Sequence, residues 1–335
     1  LKTRELASAR GLTLYLVGGA VLDILTGARK QNPDLDFCLK RNAVAFARSV
    51  ARELKAGFVV LDKEHGCARV VVKQKQGSLT LDFSDFRGPV LEEDLRRRDF
   101  TINGMALCLD EAFFAGKIDD MLIDPYGGRA DLRAGVIRIA CPRSFDEDPL
   151  RILRAFSLKA ALGLRIDQKT CRLIRAKKAL LRGVSPERVR DELFKIFATG
   201  NASAALAELD EYRILDLVFP ELAQMRAFSR TKGRGLDIVQ HTFSTFGHTE
   251  RVCASFGREP RLRQYLDAEV SSGRSRQQAL KLAALIHDFG KPKTFRRDKG
   301  KVSFHGHERV GAAMAQQIAA RLKLSADEAR MLKRI

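Results

Sequence analysis

The sequence predicts an α+β fold: a mixed head of strands and helices over residues 1–140, then helices alone to the end. Three observations carry this. Short β-type apolar runs recur as far as Phe83. From Phe145 onward strand signals nearly vanish, and apolar residues recur at helical spacing instead. The run Leu14-Tyr15-Leu16-Val17 passes straight into Gly18-Gly19-Ala20-Val21 and is followed by Asp34-Leu35-Asp36, which sets polar chemistry on an apolar scaffold.

Taken in order, strands are expected over 14–17, 35–39, 58–61, 68–73 and 78–83, with a helix over 42–56 capped by Asn42. Amphipathic helices follow over 150–162, 170–181, 186–198 and 202–209, and again over 277–287 and 308–322. Between them Arg230-Thr231-Lys232-Gly233-Arg234-Gly235-Leu236 makes a flexible basic boundary. The chain therefore divides into 1–140, 141–235 and 236–335.

Its 335 residues suffice for two or three domains, and they carry a formal net charge of +19. Such a field favours a polyanion, nucleic acid first. Basic against acidic residues number 22 to 19 over 1–140, 19 to 12 over 141–235 and 19 to 10 over 236–335. The near-neutral first part reads as the chemical head, and the later parts as the holders of the polyanion. Six scattered cysteines include no CxxC pair, and the apolar neighbours of Cys38 and Cys108 suggest buried, reduced thiols of a cytoplasmic protein. No apolar run approaches ~18 residues and no signal peptide opens the chain, so no membrane span is expected. The chain opens at Leu1 and stops at Ile335 within a helical pattern, and is expected to be a fragment.

The glycine pair lets backbone N–H groups approach a phosphate without Cβ interference. Asp34 and Asp36 share one strand face, because side chains alternate with period two. Paired carboxylates are costly unless a cation sits between them, and Mg²⁺ shared with substrate phosphates is the usual solution. Taken alone, each half also suits an ordinary turn or a solvated strand face. Asp82, on the face of Thr80 and Ser84, is a third acidic candidate for a two-metal site. Arg96-Arg97-Arg98-Asp99-Phe100-Thr101-Ile102-Asn103 gathers cations at a phosphate or makes a basic helix end. Asp124-Pro125-Tyr126-Gly127-Gly128 reads as a tight turn into a short element. Glu147-Asp148-Pro149-Leu150-Arg151 opens the first long helix, with Asp148 and Arg151 on one face.

These motifs, with Ser185-Pro186-Glu187-Arg188 and Glu192, occur in an order that resembles bacterial class II tRNA nucleotidyltransferases. That family holds the CCA-, CC- and A-adding enzymes and their poly(A) polymerase relatives. The resemblance covers roughly residues 10–225. It implies a polymerase-β-like head with a small mixed sheet, then helical neck and body segments. By motif position, Asp34 and Asp36 hold Mg²⁺ and Asp82 takes the third acidic place. Gly18 and Gly19 lie against the triphosphate. Arg97, Arg98, Asp99 and Asn103 contact the nucleotide, Asp99 near the ribose. Asp148 and Arg151, with Arg154, bind and read the incoming base, and Glu187, Arg188 and Glu192 brace the helix that reads it. Where the family has Val-Arg-Asp, this chain has Val21-Leu22-Asp23, which weakens triphosphate binding or moves that role to Arg29 or Arg97.

The tail resembles the HD hydrolase pattern, with His241, then His287-Asp288, then His307-Glu308. Imidazole and carboxylate suit a second divalent ion there, expected on His241, His287 and Asp288. The implied function is template-independent addition of C, A or both to a tRNA 3′ end from CTP or ATP, with release of pyrophosphate. The alternatives are a poly(A) polymerase, a non-catalytic RNA-binding relative, and an HD-type phosphohydrolase acting through the tail. Cys67-Ala68-Arg69-Val70-Val71-Val72 lacks the Arg-Phe-rich run of bacterial poly(A) polymerases, which favours tRNA.

Overall fold

Alternating apolar residues in the first part of the chain close into one seven-stranded mixed sheet. The structure, a computed structural model, describes residues 2–28, 34–74, 77–109, 118–231, 237–299 and 301–334. They form two bodies, Leu1–Glu147 with Arg165–Cys171, and Asp148–Leu164 with Arg172–Ile335.

The first body runs α1 (Lys2–Ser8), β1 (Tyr15–Val17), α2 (Gly19–Thr26), β2 (Asp34–Leu39), α3 (Ala43–Glu53), β3 (Gly57–Asp62), β4 (Cys67–Lys73), β5 (Ser78–Asp85), α4 (Leu91–Arg96), β6 (Ala106–Cys108) and β7 (Leu122–Ile123). The strand order is β3-β4-β5-β2-β1-β6-β7. Neighbours are antiparallel except β2 with β5. Phe37, Leu39, Leu81 and Phe83 fill one sheet face and pack on Phe46, Ala47 and Val50 of α3. Phe37 stacks on Phe83 at 5.1 Å, with Phe46 edge-on at 5.5 Å. On the other face Val17, Cys38 and Ala106 meet Leu91 and Leu95 of α4, a smaller cluster that leaves part of that face to polar side chains.

One local expectation fails. Asn42 sits at the start of α3 with φ 69° but makes no capping bond. Asp85, at the end of β5, accepts from the Ala43 N–H at 2.7 Å instead. The parallel pairing of β2 and β5 brings this long-range cap within reach, and no local sequence signal can show it.

The second body is built on α5 (Arg151–Leu162), the C-terminal part of α6 (Gln168–Lys177), α7 (Pro186–Phe197), α8 (Ala202–Glu211), α9 (Pro220–Arg230), α10 (Ile238–Phe256), α11 (Pro260–Asp267), α12 (Arg276–Ile286), α13 (His307–Arg321) and α14 (Ala326–Lys333). The helix expected over 170–181 ends at Lys177 and tightens into a 3₁₀ stretch, Lys178–Gly183. Two short hairpins, Glu269–Ser271 with Arg274–Ser275 and Arg296–Asp298 with Lys301–Ser303, interrupt the tail helices. They are too short and too polar to show apolar alternation. In the boundary loop, residues 232–236 lie outside the described residues.

Candidate active site

Sheet register builds the site of the first body. Val17 on β1 pairs with Asp36 on β2, Asp36 with Asp82 on β5, and Asp82 with Arg69 on β4, one row across four strands. Residues in a row share a face, and Asp34, two positions before Asp36, joins them by the pleat. Asp34 is exposed and pairs across to Thr80. The register thus brings Asp34, Asp36 and Asp82 to one surface.

Asp82 differs from an open third ligand. Arg69 donates to both its oxygens, Nε to Oδ1 at 2.8 Å and Nη2 to Oδ2 at 2.7 Å. This bond to Asp82 raises the Arg69 pKa against burial, with the charges of Asp82, Asp34 and Asp36 adding to it. Sequence reasoning passed over Arg69 because its partner emerges only when β4 is set beside β5.

Gly18 adopts φ 69° and ψ −140°, which L side chains rarely take. A Cβ there would stand 3.0 Å from Asp36 Oδ2 and 3.3 Å from Arg98 Nη1. Gly19 faces open space and begins α2, whose first turn has no side-chain cap. Its N–H groups suit an anion. Arg98 bonds Asp94 Oδ2 through Nη2 at 3.1 Å, and its Nε is buried without a partner. Burial works against its charge, yet Asp94, Cys38 and Asp36 hold its pKa above the usual arginine value. Burial pushes the neighbouring Cys38 thiol up to about 12, while Cys108 is only half-buried. Asp94, buried and four residues before Arg98, was the other residue that sequence reasoning missed, although i,i+4 spacing marks the pair.

Asp99 Oδ1 accepts from the Phe100 N–H at 2.9 Å and from Asn103 Nδ2 at 3.0 Å. This leaves Asn103 Oδ1 buried without a partner. Arg97 is exposed beside them. Leu22 is buried on α2, so no cation stands at that position; Arg29 lies outside the described residues. Asp124 accepts from the Gly128 and Arg129 N–H groups at 2.7 and 2.9 Å, the tight turn expected there. Asp36 offers a hard oxygen donor beside a glycine whose missing side chain keeps the space open, and Asp34 offers a second on the same strand face, a donor set that fits Mg²⁺.

In the second body Asp148 precedes α5 rather than lying in it. Its Oδ1 accepts from the Leu150 N–H at 3.2 Å, and its Oδ2 from Arg188 Nη2 at 2.7 Å. Arg151 is the buried first residue of α5, and Arg154 is half-buried one turn on. Glu192 is buried on α7, accepting from Ser157 Oγ and from Lys195 Nζ at 3.0 Å. Glu187, in the first turn of α7, is exposed.

The tail brings His241, His287 and Asp288 together, with ligand atoms within 4.8 Å of one another. His307 Nε2 lies 3.8 Å from Asp288 Oδ1. The Nδ1 atoms of His287 and His307 each stand 2.9 Å from a backbone carbonyl, an arrangement that turns both Nε2 atoms inward. Lys291 Nζ sits 2.5 Å from Asp288 Oδ2. Burial opposes the Asp288 charge, but His287 and Lys291 hold its pKa below the usual carboxylate value.

Three family models match in succession: a poly A polymerase head domain over 14–138, a probable RNA- and SrmB-binding site of polymerase A over 163–225, and an HD domain over 238–334. An A-adding tRNA nucleotidyltransferase of Deinococcus radiodurans is 35% identical, over 92% of this chain and 64% of its own length. The multifunctional CCA protein of Neisseria gonorrhoeae is 30% identical, over 92% of this chain and 69% of its own. The chain belongs to the tRNA nucleotidyltransferase and poly(A) polymerase family. It spans less than two thirds of the length of the Deinococcus relative. A tRNA nucleotidyltransferase solved with a primer tRNA and an incoming ATP analogue superposes with a TM-score of 0.65 and 28% identity, covering 85% of this chain and 75% of that one. Membership of this nucleotidyltransferase family implies a divalent metal, typically Mg²⁺. Among the described residues no helix is long and apolar enough to cross a membrane.

Proposed function

We propose that this chain adds C, A or both to the 3′ end of a tRNA, from CTP or ATP, with release of pyrophosphate. The observation that carries the reading is the register row, which sets Asp36 beside Asp82 and against the side-chain-free Gly18. It is supported by relatives named A-adding and multifunctional CCA enzymes.

In this reading Asp34 and Asp36 hold Mg²⁺, which when bound favours the ionised 3′-hydroxyl and offsets charge on the pyrophosphate. Gly18 and the first turn of α2 receive the triphosphate through backbone N–H groups. Arg98 supplies fixed positive charge beside Asp36, and its unpartnered Nε is a free donor. Arg97 adds solvent-side charge in place of the arginine that Leu22 replaces. Asn103 Oδ1 offers an acceptor to the nucleotide, with Asp99 holding the amide in orientation. Arg69 holds Asp82 in place beside Asp36. Asp148, Arg151 and Arg154 bind and read the base, braced by Glu187, Arg188 and Glu192. A tRNA substrate is consistent with a cytoplasmic location. His241, His287 and Asp288 support a second divalent site in the tail, reached when Lys291 swings away from Asp288.

The test is incubation with Mg²⁺, each labelled triphosphate in turn, and tRNA ending before C, after C or after CC. Labelling of at least one of these ends by CTP or ATP is expected, without labelling by UTP or GTP. Ends that stay unlabelled with every triphosphate contradict the reading, and long A tails on unrelated RNA favour a poly(A) polymerase.

A further inference from the structure

The tail does more to the neck than fill space beside it. Three consecutive polar rungs join the strand Arg274–Ser275 and α12 to α7. Arg274 Nη1 lies 3.2 Å from Asp191 Oδ1, Gln278 Nε2 donates to the Phe194 carbonyl at 2.8 Å, and Lys281 Nζ donates to the Phe197 carbonyl at 2.8 Å. Gln278 and Lys281, three residues apart, share one face of α12, and their partners follow at three-residue steps along α7, so the two segments run in step for about two turns. Lys281 is fully buried, and three acceptors surround its ammonium: Phe197 O, Thr199 O at 2.8 Å and Glu250 Oε1 at 3.1 Å. Glu250 in turn accepts from the Ala202 and Ser203 N–H groups at 2.8 and 3.1 Å, the start of α8. The pair therefore closes the C-terminus of α7 and the N-terminus of α8 together.

The other side of α7 carries Arg188, bonded to Asp148, and Glu192, bonded to Ser157 of α5. So α7 is held by the tail along one edge and holds Asp148 and α5 along another. A buried lysine is costly unless every N–H finds a partner, and an apolar side chain would pack here without that demand. Its presence fixes where α7 ends.

We propose that Gln278 and Lys281 are positioning residues for nucleotide choice: the tail sets the seat of Asp148 and Arg151 through α7. This rests on the base-reading role assigned to that pair above. It gives the tail a task in nucleotide transfer that does not depend on the histidine cluster.

The experiment uses the full chain and three variants. Gln278→Glu keeps an oxygen to accept from the Ser275 N–H but loses the donor to Phe194. Lys281→Met removes the last rung. Arg321→Met breaks a different, part-buried contact of the tail, with Glu221 on α9, and serves as a control for general loosening. Preference for CTP and ATP over UTP and GTP is measured with the nucleotide KM and kcat, and amide exchange over residues 186–197 is followed without substrate. The expected result is a loss of preference of about 3- to 30-fold in Gln278→Glu and Lys281→Met, carried mainly by KM, with faster exchange in α7. Arg321→Met should keep the preference. If Lys281→Met does not fold, Gln278→Glu alone decides. Unchanged preference in the folded variants, or equal loss in the control, overturns the proposal. A wild-type chain that folds and shows no nucleotide transfer contradicts the proposed function, while unchanged α7 exchange in the variants contradicts the brace.

Discussion

Asp148 uses both carboxylate oxygens within its own body, one on the Leu150 N–H and one on Arg188. Cytosine and adenine each present an amino donor beside a ring-nitrogen acceptor, which a carboxylate and a guanidinium can match. Uracil and guanine place a carbonyl oxygen where the amino group would be. Leaving a buried polar partner unpaired costs about 1–3 kcal/mol, a discrimination of roughly ten- to a hundredfold. Asp148→Ala is therefore expected to raise UTP or GTP use by about tenfold relative to CTP or ATP, read from competition assays. Full retention of the preference would leave Asp148 a helix-entry residue only. At this scale, legibility followed chain distance. Asp34 and Asp36 could be found because two positions on one strand settle their face. Arg69 could not, since its meaning comes from a residue 13 positions away across a strand pair.

Elements were legible where their apolar period was long or regular. The five strands expected in the head occur, each extended or trimmed by one or two residues. The Gly18-Gly19 turn read as a phosphate loop, but the helix it starts, α2, was hidden by its glycine. The longest tail helix, α10, was missed because the polar Thr242 and Glu250 take two of its buried positions and break the apolar period. Capping across the fold is also invisible locally. Asp85→Ala should lower stability by about 1 kcal/mol, as loss of an N-cap does, whereas Asn42→Ala should cost much less. Denaturant midpoints of the two variants separate these outcomes, and equal midpoints would return the cap to Asn42. Glu328, buried against Arg274, gives an acid-dependent counterpart. Burial raises its pKa, but the bonds from Arg274 and from the Ser325 N–H outweigh it and hold the value below the usual one. A depressed carboxylate contributes stability above its unfolded value, about 4.3, and loses it as pH falls through the folded value. Glu328→Gln should therefore flatten the decline in unfolding free energy below about pH 4.3, measured by urea titration at a series of pH values. An unchanged slope would mean that Arg274 does not stabilise the ionised form.

Across the whole molecule, charge and chemistry separate along the sequence. The head is near neutral and bears the carboxylate row, while the residues behind it carry most of the +19. If that charge serves RNA, tRNA affinity falls steeply with salt, by about −0.7 to −0.9 in log–log slope for each phosphate neutralised. Filter binding across a salt series reads the slope, and a flat line would remove RNA from the explanation of the charge. The same separation yields the most direct test of the central claim, that Asp34 and Asp36 run the chemistry while other surfaces hold the RNA. Nucleotide addition and tRNA affinity are measured side by side for the wild type, Asp34→Ala and Asp36→Ala. The expected result is a loss of at least ~10³-fold in rate, about 4 kcal/mol in the barrier, with tRNA affinity nearly unchanged. Turnover near the wild-type rate in either variant would contradict the claim.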